Sequence, residues 1–195
     1  MATSLRWTSA DLESLPNDGK RYEIINGELY VSKQPHWNHQ YVSGLVFSLL
    51  NTWSTKVGSS RANLNPGVIF ADDDDVAPDV VWISNARLAT ALESDGKLHS
   101  APELVVEVLS PGAANERRDR EVKLELYSRR KVQEYWIPDW RNRQVEVYRR
   151  VDSQLRLVAT LQEGNTLDTP LLPGFSCNVA ELFEGIPASR HESHL

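Results

Sequence analysis

The chain has 195 residues, of which 41% are apolar and 25% charged, and a formal net charge of −6. That length suits one domain with a sizeable core, the composition is that of a folded chain, and a single cysteine, Cys177, excludes a disulfide framework or a cysteine-rich zinc site. No apolar run approaches the roughly 20 residues that span a bilayer, and MATSLRWTSADLESLP lacks the apolar core of a secretion signal. The expectation is therefore one cytoplasmic domain over 1–195, with no membrane partner.

In chain order, WTSADLESL predicts a short helix capped by Thr8 or Ser9. RYEIINGELYV predicts a hairpin around Asn26-Gly27, the strongest short hairpin signal. PHWNHQYVSGLVFSLLNTWSTKVG has apolar residues at helical spacing, from Val42 to Trp53, and a stop at Gly58. GVIF and VAPDVVWI flank the tetrad Asp72–Asp75 and predict a second hairpin, with the tetrad as a solvated turn. SNARLATALE predicts a short helix, and PELVVEVLSP a buried strand over Glu103–Leu109. AANERRDREVKLELYSRRK reads as a helix of about five turns, followed by the strand VQEYWIPD and the meander RNRQVEVYRRVDSQLRLVATL. An irregular edge and a last short helix close the chain, with frayed ends at ASRHESHL. The result is a mixed α/β (α+β) domain whose central sheet contains Val80–Ile83, Leu104–Leu109 and Glu134–Ile137.

Two of these core-type strands each carry one acid, Glu107 within PELVVEVLSP and Asp79 at the head of VVWI. An ionised carboxylate in an apolar strand costs several kcal/mol unless it is paired. Side by side, two such anions repel unless a cation intervenes, and a hard divalent ion resolves the conflict. The plainer alternative is that each acid ends its strand facing water or an arginine. In the following helix, Asp119, Lys123 and Tyr127 share one stripe at i, i+4, i+8. A lysine there either meets the two acids or snorkels to solvent.

Pro78-Asp79, Glu107 and Lys123 together resemble the PD-(D/E)XK nuclease superfamily, in the variant where the lysine has moved from the strand to the next helix; Leu109 holds the usual lysine position. RYEIINGEL, His39, VAPDVVWI, PELVVEVLSP, the D-x-x-x-K-x-x-x-Y helix, VQEYWIPD, VEVYRR and LLPGFSCNVAELF resemble the Uma-two family of restriction-endonuclease-like proteins, from about Tyr22 to Phe183. The resemblance implies a restriction-endonuclease-like mixed sheet flanked by helices, and an endonuclease that hydrolyses DNA phosphodiesters. It implies a catalytic set of Glu23, Asp79, Glu107 and Lys123. Mg²⁺ or Mn²⁺ would be held by Asp79, Glu107 and the Val108 carbonyl, with His39, Asp119 and Tyr127 in support. It also implies a homodimer. The alternatives are a nuclease-fold DNA- or protein-binding module without catalysis, and a glycosidase using the paired carboxylates.

Between Arg117 and Arg150 there are eleven Lys/Arg against six Asp/Glu, on a chain otherwise acidic. Arg117, Arg118, Arg120, Arg129 and Arg130 are thus candidate DNA contacts, against the alternative of a solvated helix and hairpin. His36 and His39 form H-x-x-H, but no third ligand is in view for zinc. Trp136 reads as core, although Trp136 and Trp140 could also stack on bases.

Overall fold

The computed structural model describes residues 6–187. The predicted fraying of ASRHESHL lies outside the described residues. A single helical turn, α1 (Ser9–Leu12), is capped by Thr8 and Asp11 and leads into the hairpin β1 (Arg21–Ile25) and β2 (Glu28–Ser32). Asn26 and Gly27 turn it with φ of 53° and 75°, the left-handed pair a two-residue turn requires. Helix α2 (Trp37–Val57) ends at Gly58, whose φ is 77°. Then come β3 (Ser60–Leu64), β4 (Val68–Ala71), β5 (Asp74–Val76), β6 (Val80–Ser84), α3 (Asn85–Ala91) and β7 (Leu104–Val106). The predicted long helix runs as α4 (Ala113–Arg117), a π-helical stretch (Arg118–Lys123) and α5 (Leu124–Arg129). The rest is β8 (Glu134–Asp139), β9 (Gln144–Val151), β10 (Gln154–Gln162), the pair β11 (Thr166–Asp168) and β12 (Ser176–Asn178), and a 3₁₀ helix (Val179–Phe183).

The main sheet has six strands in the order β10-β9-β8-β7-β6-β3, with β7 and β8 parallel and its other pairs antiparallel. A second sheet, β2-β1-β5-β4, carries the first hairpin. Side-chain alternation along the central strands sorts the core into two layers. Val80, Trp82, Leu104, Val106, Trp136 and Val147 pack on α2, whereas Val81, Ile83, Val105, Tyr135 and Ile137 face Leu126 and Tyr127 of α5. β6 and β7 are covered on both faces, which is why their sequences are almost continuously apolar. Among the described residues, no helix is long and apolar enough to cross a membrane.

The tetrad departs from the solvated turn expected of it. Asp72 and Asp73 turn the chain, but Asp74 and Asp75 belong to β5 and are buried. Arg129 and Arg130, at the end of α5, supply the compensation. Arg129 reaches both oxygens of Asp74 at 3.1 and 2.8 Å, Arg130 reaches Oδ2 at 2.8 and 2.5 Å, and the Asn26 N–H donates to Oδ1 at 2.7 Å. Local pattern hides this because the partners are more than 45 residues away.

Removing one member of a fully buried ion pair costs 3–5 kcal/mol; here the freed arginines could reach water, so Asp74→Ala is expected to cost about 2 kcal/mol. Urea unfolding of the variant beside wild type measures it, and an unchanged midpoint would mean the clamp contributes nothing.

Candidate active site

Strand register builds the site. β6 and β7 pair Val80 with Val106, Val81 with Val105 and Trp82 with Leu104. One further antiparallel step sets Asp79 opposite Glu107. By alternation, Glu107 falls on the layer of Val105 and Leu109, the layer covered by α5. Its own N–H donates to the Trp136 carbonyl at 3.1 Å, so β8 holds the backbone beyond the regular end of β7.

Lys123 descends from the helix onto this point. Its Nζ lies 2.8 Å from Glu107 Oε1 and 3.1 Å from Glu23 Oε1, with only 1% of the side chain exposed. Tyr127, one turn on, donates to the same Glu107 oxygen at 2.5 Å. Both contacts therefore fall on Oε1. Glu23 arrives from β1 and is fixed by the Ala77 N–H, which donates to its Oε1 at 3.0 Å. Asp119 is buried beside Lys123, and its backbone carbonyl accepts from the Tyr135 hydroxyl at 3.0 Å. The π-helical stretch spans Asp119 and Lys123; such widened turns concentrate at functional sites.

Asp79 has its own three partners. Oδ2 accepts from the Val108 N–H at 2.9 Å and faces His39 Nε2 at 3.0 Å, and Oδ1 accepts from Arg21 at 3.2 Å. His39 Nδ1 is buried without a hydrogen-bond partner. Arg21 also bonds the Ala77 carbonyl and Asn65 Oδ1. Of the predicted residues, Glu23, Asp79, Glu107, Val108, Lys123, His39 and Asp119 all line one cavity of about 610 Å³, and Tyr127 supports its floor through Glu107. Arg118 lines it too, bonded to Ser32 at 2.7 Å and to Asp119 at 3.3 Å. Arg117 is exposed and pairs with Glu121, while Arg120 pairs with Glu116 and Glu146; neither lines the cavity. His36 caps α2 and stacks on Trp140 at 5.0 Å, and Trp136 is core. Arg21 is the residue sequence reasoning missed. Its position two residues before Glu23 in an alternating strand, hence on the same face, was the available signal.

The charges are uneven in a chemically useful way. Burial pushes the Glu107 carboxyl up to about 7; Lys123 opposes that rise, while Asp79, Glu23 and Asp119 add to it. Burial would raise Asp79 as well, but the His39 hydrogen bond and charge, with Arg21 and Lys123, hold its carboxyl below the ordinary range. Lys123 is opposed by burial, yet the anions of Glu107, Glu23 and Asp119 keep it firmly protonated. His39 is likewise lowered by burial and raised, on balance, by Asp79. The four carboxylates on the floor, Glu23, Asp79, Glu107 and Asp119, are thus each paired with a cation, from Lys123, Arg21, His39 and Arg118. The floor's donors are hard carboxylate oxygens. Glu107 Oε2 has no hydrogen bond among the described residues, and Asp79 Oδ1 has one, leaving a lone pair. That donor set suits Mg²⁺ or Mn²⁺.

Comparison with known proteins bears on this site. The sequence model of the Uma2 family, described as "putative restriction endonuclease", matches residues 9–180. Among solved structures, the chain is similar to a "putative nuclease belonging to DUF820" from Anabaena variabilis, at 19% identity and a TM-score of 0.71, covering 90% of this chain and 97% of that one. It is also similar to the type IIG restriction endonuclease BpuSI at 13% identity and a TM-score of 0.43, covering 78% of this chain and 17% of that one. No curated protein matches it. The first likeness shows a shared fold across nearly both chains.

The raised Glu107 makes a signed prediction for the metal-free protein. Between its ordinary value of 4.5 and about 7, the folded chain holds a proton that the unfolded chain has released, so stability falls as pH rises through that window. His39, raised above 6.5, acts in the same direction at its upper end. In EDTA, the melting temperature is expected to be higher at pH 5.5 than at pH 8, and Glu107→Gln should shrink the difference. A melting temperature that climbs with pH would contradict the burial of Glu107.

Proposed function

The chain belongs to the Uma2 family, described as "putative restriction endonuclease", and from that premise we propose that it is a divalent-metal-dependent endonuclease acting on DNA phosphodiesters. The observation that carries the reading is the Lys123 ammonium, held between Glu107 and Glu23 on the cavity floor with Asp79 one strand away. Basic residues Lys20, Arg21, Lys33 and Arg118 surround the same cavity, which gives a phosphate a route to the floor of a protein otherwise negative overall.

Asp79 and Glu107 would hold Mg²⁺ or Mn²⁺, with the Val108 carbonyl as the third protein ligand. When bound, the ion would supply Lewis-acid neutralisation of the charge that builds on the phosphoryl oxygens. The protein's own groups do the rest. Lys123 has three N–H donors and uses two on Glu107 and Glu23, leaving one to orient the attacking water or the phosphate. Tyr127 fixes the Glu107 carboxylate, and His39 and the Val108 amide fix that of Asp79. Arg118, anchored by Ser32 and Asp119, offers a second fixed cation to the phosphate. A cytoplasmic location belongs to the same reading. Cutting both strands of a duplex would take two copies of the site, so the homodimer goes with a duplex substrate.

Supercoiled plasmid incubated with Mn²⁺ or Mg²⁺ should be nicked, with Asp79→Ala and Lys123→Ala at least about a hundredfold slower, in line with the loss of one preorganised charge. Mn²⁺ should raise the melting temperature of wild type and not of Asp79→Ala, since only a binding-competent folded state is stabilised by ligand. Nicking that is equal in all three proteins would assign the activity to something else and remove the proposal.

A further inference from the structure

Glu23, Asp79, Glu107 and Lys123 are each at most 3% exposed, at the floor of a cavity of about 610 Å³. A phosphate must therefore reach side chains that lie below the surface, and an unpaired strand can bend to bring one there with less distortion than a duplex.

The rim carries the complementary chemistry. His36 lines the cavity, is exposed, and stacks on Trp140 with the ring planes 12° apart. The next residue, Trp37, lies outside the lining itself but follows His36 directly at the start of α2 with 79% of its surface exposed, and Val31 on the cavity wall is 51% exposed. Exposed Lys20 and Lys33 border the same opening. Aromatic faces beside a basic track are what unpaired bases and their backbone bind, because every base has a π-face and stacking needs no sequence. In a duplex those faces are already used.

We propose that the site takes an unpaired DNA strand, phosphate on the floor and bases stacked at the Trp37–His36 rim. This rests on the nuclease reading for its chemistry but not for its binding. An unpaired strand needs one cut, so one copy of the site suffices.

The test compares one oligonucleotide as a single strand, fully paired, and paired with an overhang. With Mn²⁺, the single strand and the overhang should be cut about a hundredfold faster than the paired interior, since pairing and stacking must otherwise be undone first. In EDTA, fluorescence anisotropy should show the single strand bound in preference to the duplex. Trp37→Ala, a surface change, should weaken that binding about tenfold and Trp37→Phe should preserve it. Cutting of the paired interior at an equal rate, or equal binding of both forms, would overturn the inference and leave the nuclease reading standing. Preferential single-strand binding with no cleavage of any form would do the reverse, supporting the strand preference and removing the nuclease. Unchanged binding by Trp37→Ala would overturn the stacking rim.

Discussion

The fold is organised around a buried ammonium group. Lys123 is taken almost wholly out of water, a state that would cost several kcal/mol without compensation. Glu107 and Glu23 supply that compensation from two different sheets, so the contact is also what joins β7, β1 and the helix at one point. The cluster cannot relax by neutralising the lysine, because the surrounding anions favour its charge. Burial acts against the charge of Glu107 instead and pushes its carboxyl up to about 7, a rise that Lys123 opposes.

The site's parts were legible to different depths. Asp79 and Glu107 stood out because an acid in an apolar strand has no bland explanation as good as its neighbours have. The parity of the two strands then explains their meeting without any long-range information. Lys123 was visible as the odd member of a core-facing stripe. Arg21 and the inward turn of Arg118 were not, since an arginine in a hairpin or on a basic helix is normally solvated. Their roles come from partners 58 and 86 residues away, Asp79 and Ser32, and no local period encodes those pairings.

The same limit accounts for the tetrad. Four consecutive aspartates read as a solvated turn because burying two of them requires cations that the segment does not contain. Arg129 and Arg130 bring those cations to Asp74, and Lys97 brings one to Asp75 at 3.3 Å. Part of the positive charge from Arg117 to Arg150 that suggested a nucleic-acid face is thus consumed internally. Around the cavity Arg21 and Lys20 are likewise paired, with Asp79 and Asp18, and the lining cation without an ion-pair partner among the described residues is Lys33. Net charge per segment was a poor guide to where a phosphate could approach; pairing decides it.

The Asp74 clamp and the lysine cluster also act as one device. Asp74 grips the last turn of α5, and through the Asn26 N–H it grips the turn of the β1–β2 hairpin. Lys123 sits just before α5 and Glu23 sits on β1, so the two groups that must meet are each tethered to the same carboxylate. Holding both supports rigid from a second point, which never touches the cavity, limits the freedom left for that contact to remove. Asp74, outside the cavity, thereby braces the two elements that carry Lys123 and Glu23, and this member of the acidic run is a support inside the fold rather than a decoration of the surface.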